Sequence, residues 1–323
     1  MTRRSRVSLV LAAALALSAR GAAAQDLDDD GLADALEQSL LERFVPTLVL
    51  SAGECQGLPA SFEPWASDPR VADRDGTLYG HVAPRSTGSD FVEVEIKYFH
   101  LWARDCGRPS HGLDVEHVSA LVQAPRLDAP PEEWHASYWY AAAHEGTVCD
   151  SSSGAAARVV RAESGGPYVY VSRGKHASYL NRGHCKWGCG SDRCDPGEPA
   201  PRAAVVNLGE RDAPLNGATW VRSRRWGLAD KLGTDFDPAL RARFDRDTPP
   251  SVLALYVGRR PVQAPILGGD TGLDALVEAG EAATLSLDAA ADATATAVEA
   301  TGRAVGTAGR KTVRGVAWFL RVK

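Results

Sequence analysis

The stretch Phe91-Val92-Glu93-Val94-Glu95-Ile96-Lys97-Tyr98-Phe99-His100-Leu101-Trp102 alternates in the two-residue period of a β-strand. Val92, Val94, Ile96, Tyr98, His100 and Trp102 fall on one face, and Glu93, Glu95 and Lys97 begin the other. β-branched and aromatic residues dominate the run, as a pleated, half-buried surface favours. Working outward, Leu78–Val82, Ser119–Val122, Tyr138–Tyr140, Tyr168–Val171 and Ser251–Val257 read as further strands, and residues 47–50 are short and apolar. Pro, Gly and Asp punctuate the intervals between them. The chain is therefore expected to be mainly β.

Directly after the strong strand comes Arg104-Asp105-Cys106-Gly107-Arg108-Pro109-Ser110-His111-Gly112-Leu113-Asp114-Val115-Glu116-His117-Val118. If residues 114–118 are extended, Asp114 and Glu116 share a face and His117 points away. His111 could reach the Asp114/Glu116 side, and Asp105 could close the group. Carboxylates and an imidazole on one face suit a divalent cation such as Ca²⁺, Mg²⁺ or Mn²⁺. All eight histidines lie between His81 and His184, within the β-rich part. His81, His100, His117 and His135 read as packing or hydrogen-bonding residues. His111, His144 and His176 sit in turn-like contexts, where sites are built. His144, Glu145 and His176 are the candidates for a general base. No G-x-S-x-G and no H-E-x-x-H occurs.

A second cation signal lies at Asp26-Leu27-Asp28-Asp29-Asp30-Gly31-Leu32-Ala33-Asp34-Ala35-Leu36-Glu37. It carries acids at the first, third, fifth and ninth places, Gly at the sixth and Glu at the twelfth, the pattern of an EF-hand calcium loop. Asp26, Asp28, Asp30 and Asp34 supply carboxylate oxygens, Leu32 its carbonyl, and Glu37 closes the sphere. Leu32, Leu36, Leu40 and Phe44 recur at helical spacing, so an exiting helix follows and Pro46 ends it. With no entering helix the unit is a half EF-hand. Such extracellular loops bind calcium weakly, with Kd about 10⁻⁴–10⁻³ M, which fits stabilisation better than sensing.

The first residues carry Arg3, Arg4 and Arg6, then the apolar run Ser8–Leu17, then Arg20-Gly21-Ala22-Ala23-Ala24. This is the plan of a secretory signal peptide, with cleavage expected near Ala24. The run is too short to span a bilayer, and no other segment is long and apolar enough. Cleavage removes four arginines and no acid, leaving a chain four charges more negative than the formal −5 of the full sequence. That argues against a nucleic-acid partner. The location expected is extracellular, periplasmic or in the cell envelope.

Six cysteines, Cys55, Cys106, Cys149, Cys185, Cys189 and Cys194, all follow the signal. An even number in an oxidising compartment reads as three disulfides, with fifteen connectivities open. A zinc site from His184, Cys185, Cys189 and Cys194 is the weaker alternative, because the spacings are not those of a zinc knuckle. A bridge inside 185–194, with Cys55 tied to the 106 or 149 region, is the expected arrangement.

Farther along, Trp220 and Trp226 flank Arg222, Arg224 and Arg225, and Pro238–Asp247 is a charged amphipathic segment. From about residue 263 Ala, Thr, Gly and Val dominate, and an Ala-rich helical tail is expected. Its basic, aromatic end suggests docking, an oligomer contact or a peripheral membrane contact, with no transmembrane segment. The expected layout is 1–24 signal, 25–45 calcium loop and helix, 46–262 disulfide-containing domain, and 263–323 tail.

Several stretches together resemble the Vps62-like and necrosis-inducing (NPP1-type) secreted proteins. Leu40–Pro46 resembles "LLERYAP", and His111–Val118 resembles "HxGDWEHV". Val169–Tyr179 resembles "VYVARGSHASY", and Arg225-Trp226-Gly227 resembles "GRWG". The resemblance covers roughly residues 38–230. It implies an antiparallel β-sandwich core. From the heptapeptide "GHRHDWE" it implies a divalent cation on His111, Asp114 and Glu116, with Asp105 in the place of an upstream acid. Val115 stands where that family has Trp, and Leu113 where it has His. The function this reading favours is a cation-binding module for an anionic glycan or lipid headgroup. A structural protein of the cell envelope ranks second, and a metal-dependent hydrolase third.

Overall fold

The computed structural model describes residues 25–87, 91–107, 110–147, 149–187, 192–236, 252–257 and 260–265. The expected signal peptide, the Pro238–Asp247 segment and nearly all of the expected Ala-rich tail lie outside these residues.

The protein is mainly β. Among the described residues one α-helix, α1 (Asp34–Arg43), precedes thirteen strands, with four short 3-10 turns between them. These are β1 (Thr47–Leu50), β2 (Ser61–Phe62), β3 (Val71–Asp73), β4 (Leu78–Thr87), β5 (Val92–Asp105), β6 (His111–Ala124) and β7 (His135–Ala141). They continue as β8 (Ser153–Ala156), β9 (Tyr168–Val171), β10 (Ser178–Tyr179), β11 (Val205–Asn207), β12 (Val252–Val257) and β13 (Arg260–Pro265). The large sheet runs β11-β4-β5-β6-β7-β8-β12-β13 and is antiparallel except where β11 lies parallel to β4. A three-stranded sheet, β1-β9-β10, is the second layer, and β2-β3 is a small ribbon. The segments expected at 78–82 and 119–122 are parts of longer strands. β13 continues past the expected boundary at residue 262.

The predicted face of β5 makes the main core. Val94, Ile96, Tyr98 and Trp102 pack with Val118, Ala120 and Val122 of β6 against Leu40, Leu41 and Phe44 of α1 and Leu48, Val169 and Val171 of the small sheet. The helix that follows the Asp26–Glu37 loop is thus part of the sandwich core. Tyr98 fixes it further, donating its hydroxyl to the Leu41 carbonyl at 2.9 Å.

The other face of β5 is also covered. Phe99 and Leu101 pack with Phe62, Tyr79, Trp220 and Trp226. The two tryptophans beside the arginine patch are therefore core residues. Arg222 turns back to the carbonyls of Arg211 and Asp212, and Arg225 lies 3.9 Å from Asp68. Glu93, Glu95 and Lys97 are buried as well. Their burial is tolerated because the charges are paired. Lys97 Nζ is 2.8 Å from Asp235, Arg85 is 3.2 Å from Glu95, and the Thr234 hydroxyl and Asp235 N–H both donate to Glu95. Burial raises the pKa of Asp235, but the charges and hydrogen bonds of His117 and Lys97 outweigh this and hold it far below the carboxylate range.

Two disulfides close the loops around the sandwich. Cys55 bonds Cys106, and Cys185 bonds Cys194, as expected from the sequence. Cys149 is disulfide-bonded too. No helix among the described residues is long and apolar enough to cross a membrane.

Gly80 in β4 marks the closest approach of α1 to the sheet, since a Cβ there would overlap the Leu41 side chain. Gly80→Ala is expected to cost roughly 1–3 kcal/mol through overpacking. Urea unfolding of Gly80→Ala, Leu41→Ala and the double variant checks this. The double variant should be less destabilised than the sum of the two single changes.

Candidate functional site

The candidate site is built where β5 and β6 meet the turn before β10. The register places Trp102 opposite Asp114, His100 opposite Glu116 and Phe99 opposite His117. Directly opposite residues share a face. Asp114 and Glu116 therefore face the small sheet, and His117 faces Asp235 on the other side, 3.0 Å away. This is the orientation the alternation predicts.

His176 is the hub. Its Nδ1 lies 2.7 Å from Asp114 Oδ2 and its Nε2 3.2 Å from Glu54 Oε1. Carboxylates on both nitrogens call for a proton on both, so the ring is an imidazolium. Burial alone would lower its pKa, but the hydrogen bonds and charges of Asp114 and Glu54 push it up to about 9. Burial likewise raises the pKa of Glu54, and His176 with the amides of Gly174 and Gln56 brings it below the usual value. The ring stacks on Trp102 at 4.0 Å with an interplanar angle of 8°. A cation on the face of an indole adds to its fixation.

Lys175, the preceding residue, inserts a second cation. Its Nζ lies 2.9 Å from Asp105 Oδ2, and its aliphatic stem crosses Gly107, where a Cβ would clash with it. Asp105 Oδ1 accepts from the Gly107 N–H at 2.5 Å. Gly174 at φ +72° turns the chain so that both cations enter together. The Cys55–Cys106 disulfide holds the two walls, while Cys106 N and Gly107 N both donate to the Gly174 carbonyl.

The four residues expected as central cation ligands are divided by this turn. His111 is exposed, with its Nε2 3.3 Å from Asp105 and its Nδ1 3.4 Å from the Gly112 carbonyl. Asp105 is engaged by Lys175, and Asp114 by His176. Among the described residues Asp105, His111, Asp114 and Glu116 do not form a group whose ligand atoms lie within 4.8 Å of one another. The set does not fit the divalent cation that the resemblance implies, because ammonium and imidazolium groups of the chain already neutralise two of its carboxylates. The grouping of Glu54, Cys55 and His176 is no alternative, since Cys55 is bound in a disulfide.

Glu116 is left without a hydrogen-bond partner among the described residues, and it is 9% exposed. Burial raises its pKa to about 8; Lys231 pulls it down and Asp114 pushes it further up. Beside it, His144 Nε2 lies 2.5 Å from Asp192 Oδ2, which also accepts from the Tyr179 hydroxyl at 2.6 Å. Burial lowers the His144 pKa, but Asp192 and then Glu116 raise it above the ordinary value. Lys231 donates to the Val115 carbonyl at 2.6 Å.

The three base candidates do not converge. His144 and His176 serve the site, but Glu145 turns to the opposite face, accepting from the Tyr140 hydroxyl at 2.8 Å and lying 3.9 Å from His117. A buried Ser178–His100 pair, 2.7 Å apart, is not an activated nucleophile. Trp102 Nε1 can only donate, so His100 Nδ1 accepts from it and the ring proton sits on Nε2, facing the serine.

In the N-terminal loop the sequence pattern becomes a folded turn. Asp26 accepts from the amides of Asp29 and Gly31 at 2.8 and 3.1 Å, Asp30 from Leu32 at 2.7 Å, and Asp34 from Leu27 at 2.9 Å. Gly31, at φ +91°, takes the conformation the sixth position requires. Ligand oxygens of Asp26, Asp28 and Asp34 lie within 4.8 Å of one another. Glu37 is wholly buried in the first turn of α1 and accepts from Asn207 Nδ2 at 3.1 Å. Burial, then the neighbouring acids, raise the pKa of Asp28 to about 6 and that of Glu37 to about 8.

The chain matches no protein-family model and no curated protein. Among solved structures it is similar to a mutant of NLPPya at 15% identity and a TM-score of 0.35, over 66% of this chain and 90% of that one. NLPPya in complex with glucosamine gives 14% identity and 0.33, over 65% and 89%. Necrosis and Ethylene inducing Protein 2, from the causal agent of cocoa's Witches Broom disease, gives 15% identity and 0.30, over 68% and 94%. A likeness at this level carries no functional weight.

The raised pKa of His176 fixes the sign of a pH effect. Its stabilisation is complete below the unfolded value of 6.5 and is lost as the pH rises through about 9. His176→Gln should therefore cost on the order of 1–3 kcal/mol at pH 6 and much less at pH 10, a difference that denaturant unfolding at the two pH values measures.

Proposed function

We propose that this chain is an exported β-sandwich protein that binds an anionic glycan or lipid headgroup at the site around Glu116. The observation that carries the reading is Glu116 itself, a buried carboxyl with no hydrogen-bond partner among the described residues. Its pKa of about 8 makes it a neutral acid at pH 7, so it donates a hydrogen bond instead of repelling an anion. The charge comes from the Lys231 ammonium, beside His144, whose pKa burial lowers but Asp192 and Glu116 raise above the ordinary value. His176, locked beneath them, keeps Asp114 neutralised. In this reading the attraction for an anion is supplied by the chain's own cations.

Calorimetry with sulfated and uronic-acid oligosaccharides and with phosphatidylglycerol vesicles tests the proposal. Glu116→Gln keeps a donor and should bind nearly as well as wild type. Glu116→Ala should lose on the order of tenfold in affinity, the size of one hydrogen bond. Binding to the wild type should weaken as the pH rises through about 8, where Glu116 ionises. Equal affinity for all three proteins removes the site from consideration.

A further inference from the structure

The Asp26–Glu37 loop buries more carboxylate oxygen than its own hydrogen bonds use. Asp28 is 6% exposed, and neither of its oxygens has a partner. One oxygen of Asp30 and one of the fully buried Glu37 are also unpartnered. Buried carboxyls without partners either hold a proton or draw in a positive charge, because leaving them ionised and unpaired costs several kcal/mol each. No Lys or Arg among the described residues pairs with any of these three carboxylates, in contrast to the central site, where Lys175 and His176 do that work. The loop's own amides already fold it through Asp26, Asp30 and Asp34, and oxygens of Asp26, Asp28 and Asp34 lie within 4.8 Å of one another.

A second segment closes over them, and the calcium-loop pattern does not include it. The turn after β11 brings Asn207 onto Glu37 and lays the Gly209 backbone beside Asp28, where a Cβ would stand 3.0 Å from Asp28 Oδ2. Gly209, at φ +65°, permits this approach. The charge of Glu210, next in the chain, acts on both Asp28 and Asp30, and His81 holds Glu210 in place at 2.9 Å.

We propose that the Asp26–Glu37 loop and the Asn207–Glu210 turn together form one calcium site, which clamps α1 to the edge of the large sheet. The donors are all oxygen, which disfavours zinc and copper. They are numerous and carried on a flexible loop, which suits the six to eight ligands of Ca²⁺ better than the rigid, water-retaining octahedron of Mg²⁺. The site is independent of the Glu116 site, so failure of either reading leaves the other standing.

The test uses calorimetry, thermal melts and hydrogen exchange on the exported chain, with calcium and with magnesium. One calcium per chain is expected, and 10 mM calcium should raise Tm by roughly 5–10 °C if Kd is about 10⁻⁴ M. Magnesium should give a smaller shift. Asp28→Asn combined with Glu37→Gln should abolish the calcium shift while leaving the calcium-free Tm no lower than wild type. Calcium should protect amides in both 26–37 and 205–210. No calcium binding, or binding that survives the double variant, overturns the site. Protection confined to 26–37 overturns the part assigned to the turn. If the double variant does not fold, Glu210→Gln decides that part: affinity should fall roughly three- to tenfold, and unchanged affinity overturns it.

Discussion

β5 and β6 are paired over their whole length in one register, with Trp102 against Asp114 and His100 against Glu116. A slip of one residue would exchange the two faces of each strand. Asp114 and Glu116 would then meet the Lys97–Asp235 layer, and His117 would be driven into the apolar core. The register therefore sorts the charged residues into two separate buried networks. One, on the sandwich side, joins Glu54, Asp114 and His176. The other, on the far side, joins Arg85, Glu95, Lys97, His117, Ser119 and Asp235.

Both networks follow the same physical rule: a buried charge persists where an opposite charge and hydrogen bonds meet it. In the central site the opposite charges are consecutive residues on one tight turn. Lys175 and His176 enter between walls fixed by the Cys55–Cys106 disulfide, Lys175 pairing with Asp105 and His176 shared between Asp114 and Glu54. Glu116 stays outside that arrangement and carries its proton instead. The N-terminal loop is the exception, with four carboxylate oxygens buried and unpartnered. The contrast is between a site whose carboxylates meet internal cations and a loop where, among the described residues, no Lys or Arg pairs with Asp28, Asp30 or Glu37.

Much of this was legible beforehand. Alternation from Val92 to Trp102 placed the main strand and its core face, because a two-residue period leaves little choice of side. The same rule set Asp114 and Glu116 on one face and His117 on the other. Leucine spacing marked α1, and the cysteine pattern pointed to a bridge inside 185–194 and to Cys55 tied to the 106 or 149 region, between which the fold chose Cys106. Illegible were the partners that arrive from far away in the chain. Glu54 and His176 lie 122 residues apart, and Asn207 lies 170 residues from Glu37. Lys231, Asp192 and Asp235 carry no local motif. The separation of His144 from Glu145 follows from a backbone turn at φ +53°, which sends adjacent side chains to opposite networks.

The sequence by itself determined the strand faces, the helix and the spacing of the calcium-type loop, because each depends on the short-range geometry of a repeating backbone. Only the tertiary structure decided what the stretch from Asp105 to Glu116 does. Its carboxylates can be balanced by a metal or by side chains, and local spacing is the same in both cases. The choice falls to the 172–176 turn, since which cation reaches a buried carboxylate depends on how distant segments pack around it. The same packing brings Asn207 and Gly209 to the loop, where spacing within residues 26–37 gives no sign of them.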